Sequence, residues 1–214
     1  MDDTLKNSRY DFGKGSLLED SVPKSPVELL MAWYRNAVAH GIPDANAMSL
    51  STVDADGYPV SRIVLLRDAG ESGLNFFTNY QSAKGHQLAA NPKAAIQFFW
   101  QSLERQVRVR GVVEPLSSEE SDAYFASRPR DSQIGAWASP QSEVIHSRQL
   151  LEENVALYNE KFRGLSTVPR PPHWGGYRLA PDTYEFWQGR PSRLHDRLRA
   201  RLVRNNWVWE RLAP

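Results

Sequence analysis

Apolar positions recur along this chain with two different periods. Between Pro26 and His40, Leu29, Leu30, Trp33, Ala37 and Val38 fall at helical spacing and predict an amphipathic helix. Ser25 reads as its N-cap, Pro26 as N1, Glu28 as the partner in a capping box, and Gly41 as the residue just past its end. Period-two runs rich in β-branched and aromatic residues predict strands at Ala47–Val53, Pro59–Arg67, Leu74–Thr78, Ala94–Trp100 and Gln106–Val113. Asp54-Ala55-Asp56-Gly57 joins the first two as a hairpin turn. Ala83–Ala90 predicts a short helix ended by Asn91-Pro92. Ser117 with Glu120 opens another capped helix, which should stop near Pro129, and Arg148–Phe162 predicts a third amphipathic one. Strands return at Gly176–Leu179, Thr183–Trp187 and Trp207–Arg211, after a Pro/Gly-rich loop at Gly164–Pro172. Six to eight antiparallel strands with helices inserted late predict an α+β fold, mainly β. A small closed or partly closed barrel suits that pattern because closure removes exposed edges.

Composition narrows the chemistry. The 214 residues hold 41% hydrophobic and 24% charged side chains, which is the profile of a globular chain with a sizeable core. One domain over residues 25–214 is expected, behind a flexible N-terminal segment at 1–24. The absence of cysteine excludes disulfides, thiolate nucleophiles and iron–sulfur ligation, and fits a cytoplasmic location. No apolar run reaches the length of a membrane span, and Met1-Asp2-Asp3 does not read as a signal peptide. The net charge of +1 gives no reason to invoke nucleic acid. That total hides an asymmetry: residues 1–60 hold five basic and nine acidic side chains, whereas residues 188–214 hold seven arginines against Asp196 and Glu210.

His40, His86, His146, His173 and His195 form no H-x-x-x-H or H-E-x-x-H pair, so no metal site is expected. There is no G-x-S-x-G elbow and no Rossmann glycine fingerprint, and Gly13-Lys14-Gly15-Ser16 lacks Walker spacing. Arginines and aromatics remain. Arginine forks suit phosphate groups, and the candidates are Arg62, Arg67, Arg105–Arg110, Arg128, Arg130, Arg193 and Arg197. Alternation over Gln106–Arg110 sends Arg108 and Arg110 toward solvent and Val107 and Val109 inward.

The stretch Glu185-Phe186-Trp187-Gln188, followed after four residues by Arg193-Leu194-His195-Asp196-Arg197, resembles the C-terminal signature of the pyridoxine 5′-phosphate oxidase family. Arg62–Leu66 (RIVLL), Phe76–Asn79 (FFTN), Leu103–Val107 (LERQV), Ser127–Trp137 (SRPRDSQIGAW), Trp174–Tyr177 (WGGY) and Arg211–Pro214 (RLAP) agree in order and spacing. The resemblance runs from about Arg9 to Pro214. It implies a homodimeric FMN-binding split barrel that oxidises pyridoxine or pyridoxamine 5′-phosphate with O2, binding neither nucleic acid nor membrane. It further implies that Arg62, Ile63, Val64, Leu65, Leu66, Phe77, Thr78, Lys84 and Gln106 line FMN. Gln141, Ser142, Trp187 and Arg197 would complete that site, largely from the partner subunit. Tyr124, Arg128 and Ser132 would clamp the substrate phosphate, with Arg67 beside them, and Arg9 would help cover the substrate. Arg193 and His195 would lie against the pyridine ring as the catalytic pair; His195 is either a general base or a hydrogen-bonded structural histidine.

Three positions depart from the family pattern. Arg67 stands where a lysine is usual, Ala83 where a basic residue is frequent, and Phe12 where a tyrosine usually closes over the substrate. Tyr124, Arg128 and Ser132 fall at i, i+4 and i+8, a spacing that Pro129 should interrupt. Two other readings share these residues: a flavin oxidase of the phenazine-biosynthesis type, and a non-catalytic flavin or pyridoxal-phosphate carrier. A nucleic-acid module built on the C-terminal arginines is the weakest, since the pI is only 8.0.

Overall fold

The computed structural model describes residues 10–214. Nine antiparallel strands run through the described residues: β1 (Ala47–Val53), β2 (Pro59–Leu65), β3 (Asp68–Gly70), β4 (Gly73–Asn79), β5 (Lys93–Trp100), β6 (Arg105–Pro115), β7 (Trp174–Gln188), β8 (Asp196–Val203) and β9 (Asn206–Leu212). The helices are α1 (Pro26–Ala39), α2 (Ala83–Ala90), α3 (Ser118–Ser127), α4 (Arg130–Ala138) and α5 (Arg148–Lys161). The strand order is β2-β1-β5-β6-β7-β4-β3, with β8 added to β7 and β9 to β8.

β7 gives the sheet its fork. Its first half, Trp174 to Leu179, pairs with β4, whereas its second half, Thr183 to Gln188, pairs with β8. β6 runs beside both halves, and the register slips between Arg110 and Gly111. Only glycine fits at that slip, because a Cβ on Gly111 would lie 2.0 Å from the carbonyl oxygen of Ala180. The other edge curls back: Leu66 N donates to Asn46 O at 2.9 Å, extending the β1–β2 ladder, and Arg67 N then donates to Asn75 O at 2.9 Å, stitching the exit of β2 onto β4. The result is the partly closed barrel expected from the pattern.

Alternation fills the interior. Leu50, Leu74, Phe76, Val107, Leu179, Phe186, Leu198 and Ala200 are wholly buried, and Trp33 and Trp100 join them. Each large apolar side chain of this kind contributes ~1.5–3 kcal/mol relative to exposure. Arg108 and Arg110 face outward, as expected. A second, smaller core of Phe125, Ile134, Phe162, Val168 and Trp174 lies under the helical layer of α3, α4 and α5.

Several local expectations are corrected. Ser25 does not cap α1; its hydroxyl donates to Glu71 Oε1 at 2.7 Å, so the anticipated capping box is absent there. Val38 is exposed rather than part of the apolar stripe. The box at Ser117 and Glu120 does form, with both reciprocal bonds at 3.1 Å. α5 buries no residue completely, so its amphipathic pattern serves only partial packing. β8 was not anticipated, although Leu198, Ala200 and Leu202 alternate with Arg197, Arg199 and Arg201. Residues 10–24, read from sequence as a flexible segment, lie against the barrel: Leu17 is buried, and its amide donates to Asp196 Oδ2 at 3.0 Å. No helix among the described residues is long and apolar enough to cross a membrane.

Candidate functional site

A cleft of about 430 Å³ opens where the end of β2, β4 and the helices α3 and α4 meet. Its lining includes Arg67, Lys84 and Arg128 and no aspartate or glutamate. Three cations facing an acid-free space form a donor set for anions.

One wall is aromatic. Phe77 stacks on Tyr124 with ring centroids 3.8 Å apart, and Trp174 continues the stack 5.6 Å from Phe77. Arginines cap this wall: the Arg128 guanidinium lies 4.6 Å from the Trp174 ring, and that of Arg67 lies 5.8 Å from Tyr124. Burial pulls the Arg128 pKa below its ordinary value, and the neighbouring Arg67 adds to that pull. Arg128 Nη1 is the single buried side-chain polar atom left without a partner among the described residues. An unpaired buried guanidinium nitrogen is costly in isolation and calls for an anionic partner.

The opposite wall comes from α4 and the turn after it. Pro129 separates α3 from α4, as the sequence anticipated, and Ser132, Gly135, Ala136 and Ser139 present one small-residue face to the cleft. Gly135 sits inside a helix, where glycine costs ~1 kcal/mol relative to alanine. A Cβ there would meet nothing within 4 Å, so protein packing does not demand the glycine.

Lys84 occupies the floor. Its Nζ donates to Gln141 Oε1 at 2.9 Å and to Thr78 Oγ1 and Ser82 Oγ at 3.2 Å. Burial, aided by the Arg62 charge, pushes the Lys84 amine down to about 8. Ser82 caps α2 by accepting from Gly85 N, which fixes the turn that presents Lys84.

Of the sequence-predicted residues, Ile63, Val64, Leu65, Arg67, Phe77, Thr78, Lys84, Tyr124, Arg128, Ser132 and Gln141 meet in this cleft. Gln141 was expected mainly from a partner subunit; here it bonds Lys84 of its own chain. The Arg62 guanidinium donates to Thr52 Oγ1 at 2.5 Å and Gln87 Oε1 at 2.9 Å, tying β1 to α2; it does not itself line the cleft, but its charge acts on Lys84, which does. Leu66 is a core residue at 6% exposure and does not line the cleft. Ser142 is exposed with φ 76°. Arg9 lies outside the described residues.

Gln106, Trp187, Arg193, His195 and Arg197 do not line that cleft within the one chain. Gln106 stands opposite Trp187 across β6 and β7. The Trp187 and His195 rings lie 4.6 Å apart, and Phe12 stands edge-on to both. Arg190 N donates to His195 Nδ1 at 3.1 Å. Burial first, then the Arg193 charge, holds the His195 imidazole below its ordinary pKa. Arg197 is engaged inside its own chain, by Glu185 Oε1 at 2.9 and 3.1 Å and by Ala213 O at 2.8 Å. Ser192 and Arg193 both adopt left-handed backbone, φ 57° and 61°, and Arg193 makes no side-chain hydrogen bond or ion pair among the described residues.

Sequence reasoning missed Gly135 and Trp174 as lining residues. A glycine within S-Q-I-G-A-W, a helix-forming stretch, was the available signal for the first. It also missed Glu104, whose buried carboxylate has no local sequence mark.

Residues 35–162 match the family model described as pyridoxamine 5′-phosphate oxidase, and residues 174–214 match the pyridoxine 5′-phosphate oxidase C-terminal dimerisation region. A pyridoxine/pyridoxamine 5′-phosphate oxidase of Synechocystis is 51% identical over 99% of this chain and 98% of its own. One of Azotobacter vinelandii is 54% identical, with 100% of each chain covered. Among solved structures, PhzG from Burkholderia lata, solved with tetrahydrophenazine-1-carboxylic acid, superposes with a TM-score of 0.87 at 30% identity, over 94% of this chain and 100% of that one. A pyridoxamine 5′-phosphate oxidase-related FMN-binding protein of Nostoc punctiforme gives 0.71 at 19% identity over 90% of this chain and 100% of that one, a likeness of fold alone.

Proposed function

Since the chain belongs to the pyridoxamine 5′-phosphate oxidase family, we propose that its acid-free cleft is where the flavin and the phosphorylated substrate meet. The protein is an FMN-dependent oxidoreductase acting as a homodimer. It converts pyridoxine 5′-phosphate and O2 to pyridoxal 5′-phosphate and H2O2; with pyridoxamine 5′-phosphate, water is also consumed and ammonia released. Bound FMN supplies two-electron acceptor chemistry, with O2 as the final oxidant.

The residues present fit the cofactor and the substrate. Ile63, Val64, Leu65, Phe77, Thr78, Lys84 and Gln141 would hold FMN. Arg67, Tyr124, Arg128 and Ser132 would hold the substrate phosphate, and the partnerless Arg128 Nη1 is the observation that carries this reading. A phosphate oxygen there replaces a desolvation penalty with a charge-assisted bond of roughly 1.5–3 kcal/mol. The replacement of lysine by Arg67 keeps the charge and adds a planar fork against Tyr124.

Trp187, Arg193 and His195 would complete the cleft of the partner subunit, because they do not reach the cleft of their own. Arg193, free of intrachain ion pairs among the described residues, would bind the C4′ hydroxyl or amine and stabilise developing charge. His195 acts as a donor: with Nδ1 accepting from Arg190 N, its neutral form carries the proton on Nε2. That tautomer orients a ligand oxygen and cannot serve as a base at Nε2. Gln106 and Arg197 stand opposite Trp187 on the two neighbouring strands and would contribute with it to the FMN site. A cytoplasmic location goes with this reading, since the cysteine-free chain draws nothing from an oxidising compartment.

The phenazine-type reading has the PhzG likeness behind it. It is the weaker one, because relatives above 50% identity carry the phosphate-oxidase name and S-R-P-R-D-S-Q-I-G-A-W builds the Arg128–Ser132 corner of the cleft. The test is to purify the protein, read its flavin absorbance, add pyridoxine 5′-phosphate under air and follow pyridoxal 5′-phosphate and H2O2. Stoichiometric product supports the proposal; bound flavin without turnover refutes it.

A further inference from the structure

Glu104 carries two local penalties. Its backbone is left-handed, φ 55° and ψ 40°, a conformation that glycine or asparagine takes more readily. Its carboxylate is buried, at 1% residue exposure. Both are offset by a segment about ninety residues away. Tyr10 Oη donates to Glu104 Oε1 at 2.7 Å, and the amides of Gly13 and Lys14 donate to Oε2 at 2.8 and 2.9 Å. Burial alone would raise its pKa, but these bonds outweigh it and leave the carboxyl below its ordinary value. The Glu104 backbone carbonyl also accepts from Gly189 N at 2.8 Å, next to Trp187 and Gln188.

Phe12 lies between the clamped residues. Its ring stands edge-on to His195 at 5.1 Å and to Trp187 at 5.6 Å. Asp11 Oδ1 faces Ser192 N at 3.4 Å, beside the two left-handed residues of the loop that bears Arg193. Further along, Leu17 is held by Asp196 and by Arg211 Nη2, at 3.0 and 2.9 Å. Strained backbone of this kind persists only where neighbouring structure over-determines it.

We propose that Glu104 is a positioning residue: its three bonds to residues 10–14 set Phe12 against His195 and Trp187 and so hold the Arg193 loop in its working shape. The inference rests on the reading that Arg193 and His195 meet the substrate. Glu104→Gly in the full-length, FMN-loaded enzyme is the test, because glycine accepts the left-handed backbone while removing the clamp. KM for pyridoxine 5′-phosphate should rise about tenfold with FMN content unchanged. Phe12→Ala should reproduce the rise, the double variant should be no worse than either single one, and Glu104→Gln, which keeps one acceptor oxygen, should recover part of it. In FMN-stripped protein, the His195 ring signals in NMR should move in the same direction in Glu104→Gly and Phe12→Ala. An unchanged KM in Glu104→Gly or in Phe12→Ala, or effects that multiply in the double variant, would overturn the proposal. Arg193→Ala separates the two levels: if it keeps wild-type turnover, the underlying reading fails, whereas its loss alongside an inert Glu104→Gly removes only the inference.

Discussion

Two cation-rich regions of this molecule differ in what faces them. In the cleft, Arg67, Lys84 and Arg128 look into a space with no carboxylate in its lining. On β8 and β9 the arginines are denser, yet they are matched: Arg197 with Glu185, Arg199 and Arg201 with Glu210, and Arg211 with Glu19 and Asp196. The denser cluster is therefore the less available one. Charge count along a sequence marks where cations are; the acids folded against them decide which can hold a phosphate. Of the seven arginines in residues 188–214, Arg190, Arg197, Arg199, Arg201 and Arg211 pair with acids of their own chain.

The sharpest way to break this comparison is to remove one arginine from each region. Arg128→Ala should raise KM for pyridoxine 5′-phosphate about a hundredfold, with FMN content retained. Arg201→Ala should leave steady-state kinetics unchanged, since exposed ion pairs contribute little beyond ~1 kcal/mol of stability. Equal effects in the two variants would dissolve the distinction.

A smaller effect, of opposite sign in stability and binding, is expected at Gly135. Gly135→Ala should raise Tm in thermal melts, because the helix gains a better former and the methyl meets no protein atom within 4 Å. The same methyl should weaken pyridoxal 5′-phosphate binding by about tenfold, read by absorbance titration.

Lys84 gives a pH dependence. Its amine, pushed down to about 8, is charged below that pH and neutral above it. FMN affinity of the stripped protein should therefore be highest below pH 8 and fall as pH rises through it. Lys84→Arg should flatten the profile in a fluorescence titration. The charged form also opposes folding of the unliganded protein, a penalty relieved between about 8 and the ordinary 10.5.

The mildest effect belongs to the matched region. Arg201 first, then Arg199, hold Glu210 down to about 2. Its contribution is present above the ordinary carboxylate range and lost as pH falls toward 2. Glu210→Gln should lower Tm slightly at pH 7 and leave turnover intact.

Legibility in the sequence followed the range of the interactions involved. The β1–β2 hairpin, α2 and the Ser117–Glu120 box are set by neighbours a few residues apart, and they were readable. Ser25 looked like an equally good cap, but its hydroxyl bonds Glu71, a partner no local pattern reveals. Arg62 and Leu66 belong to the motif that carries the family resemblance; the Arg62 bonds to Thr52 and Gln87 and the burial of Leu66 in the core depend on tertiary contacts that no local pattern reveals. The cleft cluster was largely legible because RIVLL, FFTN and S-R-P-R-D-S-Q-I-G-A-W each contribute to its lining. The arginine pairing was not, because Glu19 and Glu185 come to Arg211 and Arg197 only through tertiary structure.

The central claim is that a cation kept without an intrachain acid is the one that holds the substrate phosphate. Titrating FMN-loaded wild-type protein and its Arg128→Ala variant with pyridoxal 5′-phosphate tests it most directly. Binding should be about a hundredfold weaker in the variant at unchanged FMN content. Equal affinity in the two proteins would contradict it.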